Sequence, residues 1–293
     1  MSTKKIFSAA QRRHIPLYQF NFSDLSQLWG IINATKNFKT PFILGTSEGE
    51  SRFLGLNFTV ALKREAEKEL GFPIILNLDH GKSLSYIKEA VNAGYDMVHF
   101  DGSSLPLKEN IEITKKVVGY ARKRGIIVEG EVGVVRGSSR LHKGIAKVSK
   151  KDMTKPEEAE VFAKETKVDA LATVFGNIHG VYEKMESLDL KRLSMIKRRV
   201  GERVFLVLHG GSGIPIPQVK SAVKKGIVKI NINTDIRCAW REALERALRI
   251  DPYEVAPSKL MPSVVEAVEK VINKKMKLFN ENHSRHQYLY KMR

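Results

Sequence analysis

The sequence predicts a (β/α)8 barrel, or TIM barrel, with a C-terminal helical extension. Eight short apolar segments alternate with longer amphipathic segments, which is the order of a parallel sheet whose strands are joined by helices. The chain has 293 residues, close to the roughly 250 residues of a typical barrel plus extensions. Three apolar segments end in His-Gly, at His80, His179 and His209, as expected where a buried strand opens into a loop.

Each predicted strand is a short run of apolar, often β-branched or aromatic residues. Between most of these runs lie helix-like stretches with apolar residues at three- and four-residue steps, such as 84–93, 111–121 and 188–200. Strand and helix alternate eight times, which favours a sheet closed into a barrel. The predicted strands cover residues 15–20, 41–47, 73–80, 97–103, 127–133, 169–176, 204–211 and 227–234.

Two segments depart from this rhythm. Residues 134–157 are long, polar and basic and follow the fifth strand, and a loop of that length is typically functional or mobile. Residues 262–293 are expected to form an amphipathic helix over about 263–279 and a loosely packed basic tail over 280–293. Without a Pro-, Gly- or Ser-rich linker, we expect residues 1–293 to form a single domain.

Composition limits the location and the partners. Cys238 is the only cysteine, so no intrachain disulfide can form, and a reducing, cytoplasmic location is expected. No run approaches the roughly 18 apolar residues of a membrane helix. The net charge of +18 fits an anionic partner or a basic solvated surface. Its lysines and arginines follow no nucleic-acid-binding motif, so nucleic acid is not expected, whereas a phosphorylated small molecule is compatible with the charge without being shown by it.

Polar residues gather at the predicted carboxyl ends of the strands, where barrel enzymes build their active sites. An apolar core strand gains nothing from ending in Asp-His, since buried charge is costly unless it is paired or metal-bound. The residues at this rim are Asn21, Ser47, Asp79, His80, Asp101, Glu131, His179, His209, Asn231 and Asn233.

Three strand-end histidines around one point would form a metal site. Imidazole is the commonest zinc ligand, and three protein ligands with an open position are typical of a catalytic metal. Glu131 is either a fourth ligand or the partner of a lysine. The alternative for the histidines is a structural, hydrogen-bonded role. The remaining histidines lack the His-Gly pattern and are expected to be surface or structural residues: His14, His99, His142, His283 and His286.

Two further features complete the predicted site. Asp79 precedes His80, and at a strand end its carboxylate can act as a general acid or base or orient an imidazole. A glycine-rich turn, 210–213, follows the seventh strand, and 231–234 ends the eighth. Loops at these positions often bind phosphate in barrel enzymes, although a simple tight turn is the alternative.

Together these motifs resemble the class II, metal-dependent fructose-bisphosphate aldolase family, which includes the tagatose-bisphosphate aldolases. The resemblance extends from about residue 18 to residue 279, and six motifs occur in family-like order. They are residues 78–83 (LDHGKS), 100–103 (FDGS), 129–133 (EGEVG), 176–182 (GNIHGVY), 208–213 (LHGGSG) and 231–235 (NINTD).

The resemblance implies the roles of the site residues. Zinc or another divalent metal would be held by His80, His179 and His209, with Glu131 as an additional or alternate ligand. The metal would polarise the carbonyl of dihydroxyacetone phosphate and stabilise its enediolate. Asp79 would transfer the hydroxyl proton. Asn231 would hydrogen-bond the enediolate, and Ser47 would line the site. The phosphate would lie on Gly180, Gly210, Gly211, Ser212 and Thr234.

The resemblance also implies a Na⁺ or K⁺ ion near the glycines and a homodimer or tetramer. The chain departs from the family pattern in several places. No Asp or Glu occurs between Val132 and Lys151, where many members carry a loop acid, so Asp79 or His142 would have to replace it. Asn233 takes the place of an aspartate. Arg237 is the candidate for the distal phosphate.

We therefore expect an aldolase that cleaves a ketose 1,6-bisphosphate, fructose 1,6-bisphosphate first and tagatose 1,6-bisphosphate or another ketose phosphate as alternatives. Two rivals remain open from the sequence. A metal-dependent hydrolase on this fold would usually carry His-x-His on the first strand, and residues 15–20 have none. A non-catalytic barrel would bind a phosphosugar without turning it over.

Overall fold

The computed structural model describes residues 2–36 and 38–277, and within them all eight predicted strands form one closed parallel barrel. A separate two-stranded sheet lies outside it. The strands are β1 (Leu17–Asn21), β2 (Ile43–Ser47), β3 (Ile75–Gly81), β4 (Met97–Phe100), β5 (Ile127–Val132), β6 (Gly137–Ala146), β7 (Ala170–Thr173), β8 (His179–Met185), β9 (Phe205–Leu208) and β10 (Ile227–Ile232).

The barrel closes in the order β1-β10-β9-β7-β5-β4-β3-β2, which confirms the predicted (β/α)8 architecture. Helices cover the outside of the sheet. They are α1 (Thr3–Arg13), α2 (Leu25–Lys36), α3 (Glu48–Leu54), α4 (Leu56–Leu70), α5 (Leu84–Ala93), α6 (Leu107–Arg122), α7 (Pro156–Thr166), α8 (Leu190–Val200), α9 (Ile216–Lys224), α10 (Thr234–Ile250) and α11 (Pro257–Lys277).

The core has two layers. The larger layer packs the outer face of the sheet against the helices, and the smaller one fills the barrel. Ile6, Phe7 and Ala10 of α1 belong to the inner layer, with Leu17 and Ile75 from the strands. The N-terminal helix, which the strand pattern did not predict, therefore closes the amino end of the barrel and leaves the carboxyl end for the site.

Residues 134–157 are only partly irregular, so the prediction of one long polar loop was incomplete. Residues 137–146 form β6, which pairs in parallel with β8 outside the barrel. Most side chains of β6 are exposed or half-buried. Because a strand exposed on both faces needs no apolar face, its polar composition resembles that of a loop.

The C-terminal helix starts at Pro257, earlier than the predicted residue 263, and continues through Pro262. It packs closely on α2 at Gly30, where an added Cβ would lie 2.6 Å from Val268 Cγ1. Within the described residues, none of the helices combines the length and apolar composition needed to cross a membrane. The predicted tail, 280–293, lies outside the described residues, as do His283 and His286.

Candidate active site at the carboxyl ends of the strands

A break in strand β3 brings two neighbouring residues into the same site. The register between β3 and β4 shifts between Leu78 and Gly81, and His80 adopts a left-handed conformation with φ of 49°. In a regular strand, neighbouring side chains point to opposite faces. The irregularity therefore allows Asp79 and His80 to reach the same site, as the sequence predicted.

The three strand-end histidines converge. His80 Nε2 and His209 Nδ1 face each other at 3.0 Å. The His179 ring centroid lies 5.0 Å from that of His80 and 6.0 Å from that of His209. His209 is fully buried, whereas the His80 side chain is 20% exposed. The strand ends thus place these imidazoles around one point that solvent can reach.

The outward-facing nitrogens of two of these rings are bound to carboxylates. His80 Nδ1 donates to Asp101 at 2.9 Å, and His209 Nε2 donates to Glu129 at 2.6 Å. These bonds leave His80 Nε2 and His209 Nδ1 facing each other, which is the arrangement that orients histidines around a metal. Two nitrogens bound tetrahedrally to zinc lie about 3.3 Å apart, so the spacing fits such an ion.

Glu131 adds a carboxyl group with an unused ligand atom. Its side chain is buried, and Oε2 has no hydrogen-bond partner among the described residues. That oxygen lies 3.8 Å from His80 Nδ1. Burial, reinforced by the nearby Asp101 charge, raises the pKa of Glu131 to about 8. A buried carboxylate without a partner is costly, and a metal ion would satisfy it.

His99, which the sequence analysis placed among the surface or structural histidines, is not a surface residue and lies beside the site. It is fully buried, with its ring centroid 4.8 Å from that of His80 and 4.9 Å from that of His209. Side chains two residues apart share a face of a strand. The signal for an inward-facing His99 was therefore its spacing from Asp101 at the rim.

The donor atoms form two overlapping groups that share His80. Atoms of Asp79, His80, His99 and His209 lie within 4.8 Å of one another, and so do atoms of His80, Asp101 and Glu131. Imidazole nitrogen and carboxylate oxygen are the ligands expected for zinc and for several other divalent ions. The residues present therefore fit a divalent metal.

Asp79 is oriented by two amides. Its Oδ1 accepts from Asn231 Nδ2 at 3.0 Å, and its Oδ2 accepts from Asn21 Nδ2 at 3.1 Å. Burial raises the pKa of Asp79, but the adjacent charges, that of His80 foremost, outweigh it and hold the pKa well below its ordinary value. Asp79 is therefore an ionised carboxylate, able to accept a proton.

A buried ion pair supports His209, and the sequence analysis gave neither partner a role. Lys229 Nζ donates to Glu129 Oε2 at 2.6 Å, and both side chains are completely buried. Burial raises the pKa of Glu129, but the Lys229 charge reverses this effect, and the pKa falls below its ordinary value. A lysine inside the apolar run 227–232 was the available signal, since buried lysines are rare unless paired.

The predicted phosphate residues lie together around two glycine turns. Gly180 and Gly210 have positive φ of 107° and 63°, and a Cβ on Gly210 would lie 2.2 Å from the carbonyl oxygen of Ile178. Ser212 is buried, and its Oγ accepts the amide N–H of Asp235 at the start of α10. Thr234 is the first residue of that helix. A helix N-terminus beside such turns favours an anion.

Gly211, one of the predicted phosphate-binding residues, already uses its amide N–H in a hydrogen bond within the protein. The Gly211 amide N–H donates to the Asn231 carbonyl at 3.0 Å. A Cβ at Gly211 would lie 2.7 Å from Ile230 Cγ2. Gly211 therefore holds the turn against β10, and its N–H is not available to a phosphate in this conformation.

Glu50, which the sequence analysis did not select, joins the remaining candidates. Ser47 caps α3 in a capping box with Glu50. The buried Glu50 carboxylate also accepts from Arg237 at 2.5 Å and from Asn233 at 3.4 Å. Arg237 in turn donates to the Ser139 carbonyl on β6 at 3.3 Å. The two-stranded sheet of β6 and β8, here called the outer ribbon, is thereby attached to the rim of the barrel.

The side chain of His142, on β6, is held by contacts within the outer ribbon. Its ring stacks on Tyr182 with centroids 4.4 Å apart, and Nε2 lies 2.9 Å from the Ser138 carbonyl. The imidazole also covers Gly180, whose added Cβ would lie 2.6 Å from His142 Cδ2. His142 therefore lies next to the His179 turn, and a role as a base in place of the missing loop acid stays a prediction.

With this geometry established, the similarity to known proteins becomes informative. The family model described as Fructose-bisphosphate aldolase class-II matches residues 1–284. This chain belongs to the class II fructose-bisphosphate aldolase family. The resemblance inferred from the motifs is confirmed, and the chain is an aldolase.

Two curated relatives cover nearly the whole chain. A 6-phospho-5-dehydro-2-deoxy-D-gluconate aldolase from Bacillus subtilis is 36% identical over 283 residues, which are 95% of both chains. A fructose-bisphosphate aldolase from Geobacillus stearothermophilus is 33% identical over 287 residues, covering 96% of this chain and 97% of the relative.

Solved structures show the same architecture. The YdjI aldolase from Escherichia coli K12 has a TM-score of 0.79 at 27% identity, with 96% of this chain and 98% of that chain covered. The fructose-bisphosphate aldolase of Campylobacter jejuni shares the fold, with a TM-score of 0.78 at 22% identity and coverage of 96% and 95%.

Proposed function

We propose that this protein is a zinc-dependent aldolase that reversibly cleaves a ketose 1,6-bisphosphate, fructose 1,6-bisphosphate first, to dihydroxyacetone phosphate and glyceraldehyde 3-phosphate. The observation that carries the proposal is the pair of facing nitrogens of His80 and His209, each oriented by a carboxylate, beside the ionised Asp79. His80, His179 and His209 would hold the metal, with Glu131 as an additional or alternate ligand.

When bound, the metal supplies Lewis-acid polarisation of the substrate carbonyl. Asp79 accepts the hydroxyl proton during cleavage and returns it during condensation. The two amides that bond its oxygens keep the carboxylate aimed while its charge changes. General acid–base catalysis by a positioned group typically contributes 10²–10⁴-fold in rate.

Asn231 is suited to the oxygen that becomes negative. One N–H of its amide donates to Asp79, while its nitrogen also lies 3.4 Å from His209 Nδ1. The second N–H is directed towards His209 Nδ1, and it would become available for the enediolate oxygen if a metal bound that nitrogen. Within residues 2–36 and 38–277, its buried Oδ1 has no hydrogen-bond partner, and it can accept from a substrate hydroxyl.

The phosphate of the dihydroxyacetone half would bind at Gly180, Gly210, Ser212 and the N-terminus of α10 at Thr234. A Na⁺ or K⁺ ion near these turns would offset part of the phosphate charge. Ser47 would line the site. Arg237, with 38% of its side chain exposed, would bind the distal phosphate beside Asn233.

A second substrate has specific support. The relatives at 36% identity are named as 6-phospho-5-dehydro-2-deoxy-D-gluconate aldolases. Arg237 can bind a carboxylate as well as a phosphate, because its guanidinium presents a fork of donors to either group. 6-Phospho-5-dehydro-2-deoxy-D-gluconate is therefore the second candidate, and tagatose 1,6-bisphosphate is the third. Membership of the aldolase family removes the reason to retain a hydrolase or a non-catalytic barrel.

Location and assembly remain part of the proposal. The single cysteine supports a cytoplasmic protein, and we propose a homodimer or tetramer. The charge of +18 attracts anionic substrates, since a basic surface raises their local concentration. Binding to nucleic acid is not proposed.

The test is cleavage of the three candidate substrates by zinc-loaded protein, followed by coupled detection of dihydroxyacetone phosphate. Chelator-sensitive cleavage of fructose 1,6-bisphosphate with the highest kcat/KM would support the first proposal. Preference for the deoxygluconate phosphate would replace it with the second. Metal-loaded protein that cleaves none of the three would contradict the proposal.

A further inference from the structure

We propose that His99 is a positioning residue of the metal site, holding the backbone of His80. This inference rests on the proposed metal-dependent function. It assigns a role to a buried histidine that the mechanism above does not use. His99 lies on β4, with its ring centroid 4.8 Å from that of His80 and 4.9 Å from that of His209.

The first contact compensates for the break in β3. Because the register shifts between Leu78 and Gly81, the His80 amide lies where the regular ladder to β4 is interrupted. His99 Nδ1 accepts this N–H at 3.1 Å. His80 has a φ of 49°, a conformation that residues with a Cβ keep only where their surroundings enforce it. The His99 ring thus helps to hold the turn that aims His80.

The other ring nitrogen of His99 makes a looser approach to the site. Since Nδ1 of His99 is an acceptor, its neutral ring carries the proton on Nε2. Nε2 lies 3.4 Å from Glu131 Oε2. Neither atom makes a hydrogen bond within the part of the chain that the structure describes, and both side chains are buried. Nε2 is therefore only a close electrostatic neighbour of Glu131, the candidate additional ligand, and the contact to the His80 backbone carries the positioning role.

This arrangement argues for positioning rather than ligation. Metal binding through Nδ1 would remove the acceptor of the His80 amide, and binding through Nε2 would require that nitrogen to lose its proton. The other anionic groups facing the ring are more distant, with Asp79 Oδ1 and Glu129 Oε1 each 3.8 Å from Nδ1. Of these contacts of the His99 ring, the one to the His80 backbone is the shortest.

The experiment compares metal binding by the wild type, His99→Leu and His99→Asn, with Met97→Leu as the control. Met97 precedes His99 by two residues on β4 and is equally buried, so its variant reports on packing alone. Zinc affinity is measured by competition with a chromophoric chelator. The coordination is read from the visible spectrum of the Co²⁺-substituted proteins at saturation.

We expect His99→Leu to bind zinc roughly 10–100-fold more weakly, the usual loss when a group that orients a ligand is removed. Met97→Leu should match the wild type. His99→Asn retains an acceptor near the Nδ1 position and should recover most of the affinity. The Co²⁺ spectra of all variants should keep the wild-type bands, because the ligands are unchanged.

Unchanged zinc affinity in His99→Leu would overturn the inference while leaving the proposed function intact. A Co²⁺ spectrum altered in His99→Leu would also overturn it, since His99 would then be a ligand. If His99→Leu does not fold, the zinc affinity of His99→Asn serves as the test. The inference fails if His99→Asn binds zinc roughly 10–100-fold more weakly than the wild type. Absence of zinc binding by the wild type would instead refute the proposed function, and this inference with it.

Discussion

The buried ion pair between Lys229 and Glu129 can be taken apart one partner at a time. The two charged atoms lie 2.6 Å apart, and neither side chain is exposed. Glu129 also accepts from His209 at 2.6 Å. Removal of one partner of a buried pair leaves an uncompensated charge and costs about 3–5 kcal/mol. We therefore expect Lys229→Met and Glu129→Gln each to lower the free energy of unfolding by that amount.

The loss of stability in the double variant should be far smaller than the sum of the losses in the two single variants. Two independent losses would total about 6–10 kcal/mol. With both charges gone, methionine fills the space of the lysine stem and glutamine can still accept from His209. We expect a loss of only about 1–3 kcal/mol, since uncharged replacement of a buried pair is often nearly neutral. The interaction energy would then be at least about 3 kcal/mol.

The assay is urea unfolding of metal-free protein, followed by circular dichroism, for the wild type, both single variants and the double variant. If unfolding passes through an intermediate, the first transition is compared. Matched substitutions at the exposed pair Lys36 and Glu69 serve as the control and should change stability little. Additive losses in the Lys229 and Glu129 cycle would refute the reasoning.

Three further predictions concern single residues. Asp79→Asn should lower kcat by about 10²–10⁴-fold while metal analysis shows a normal zinc content; metal loss would contradict this. Gly210→Ala should raise KM and lower thermal stability, because its Cβ would lie 2.2 Å from the Ile178 carbonyl; unchanged values would count against it. Burial raises the pKa of Tyr95 to about 12. The neutral phenol therefore contributes its full stability below about pH 10, the ordinary pKa of tyrosine, and this contribution is lost as the pH rises towards about 12. Tyr95→Phe should flatten this decline by up to about 3 kcal/mol, and urea midpoints measured between pH 9 and pH 12 would test it.

The barrel strands were predictable because helices cover one face and the filled interior covers the other. All the residues of a strand such as β9, Phe205–Leu208, are then buried, and the sequence shows a continuous apolar run. His-Gly at the strand ends was equally informative, because an imidazole that follows a buried apolar run needs a hydrogen-bond partner or a metal ion. The positions of His80, His179 and His209 followed from this pattern.

The polar residues inside the barrel were harder to predict. His99, Glu129 and Lys229 lie within their strands rather than at the ends, so the rule that chemistry lies at the rim overlooks them. Each has its partner on another strand, 19 to 100 residues away. Only closure of the barrel brings these partners together. Period-two spacing from Asp101 and Glu131 was the available local signal.

Substrate choice was the least predictable feature. Asn233 and Arg237 were visible as departures from the family pattern, but their joint attachment to Glu50 depends on the fold. Glu50 itself lies in α3 and resembles any helical carboxylate in the sequence. The ribbon of β6 and β8 also contacts Arg237, and its exposed composition gave no sign of a strand.

The central claim is that this site removes a proton from dihydroxyacetone phosphate with the help of a divalent metal. All three candidate substrates would share this half-reaction, so it can be tested without the aldehyde. Zinc-loaded protein is incubated with dihydroxyacetone phosphate in D₂O, and the hydroxymethyl carbon is followed by proton NMR. We predict exchange of one of its two hydrogens, abolished by a chelator and restored by zinc. No exchange by protein that carries one zinc ion per chain would contradict the account.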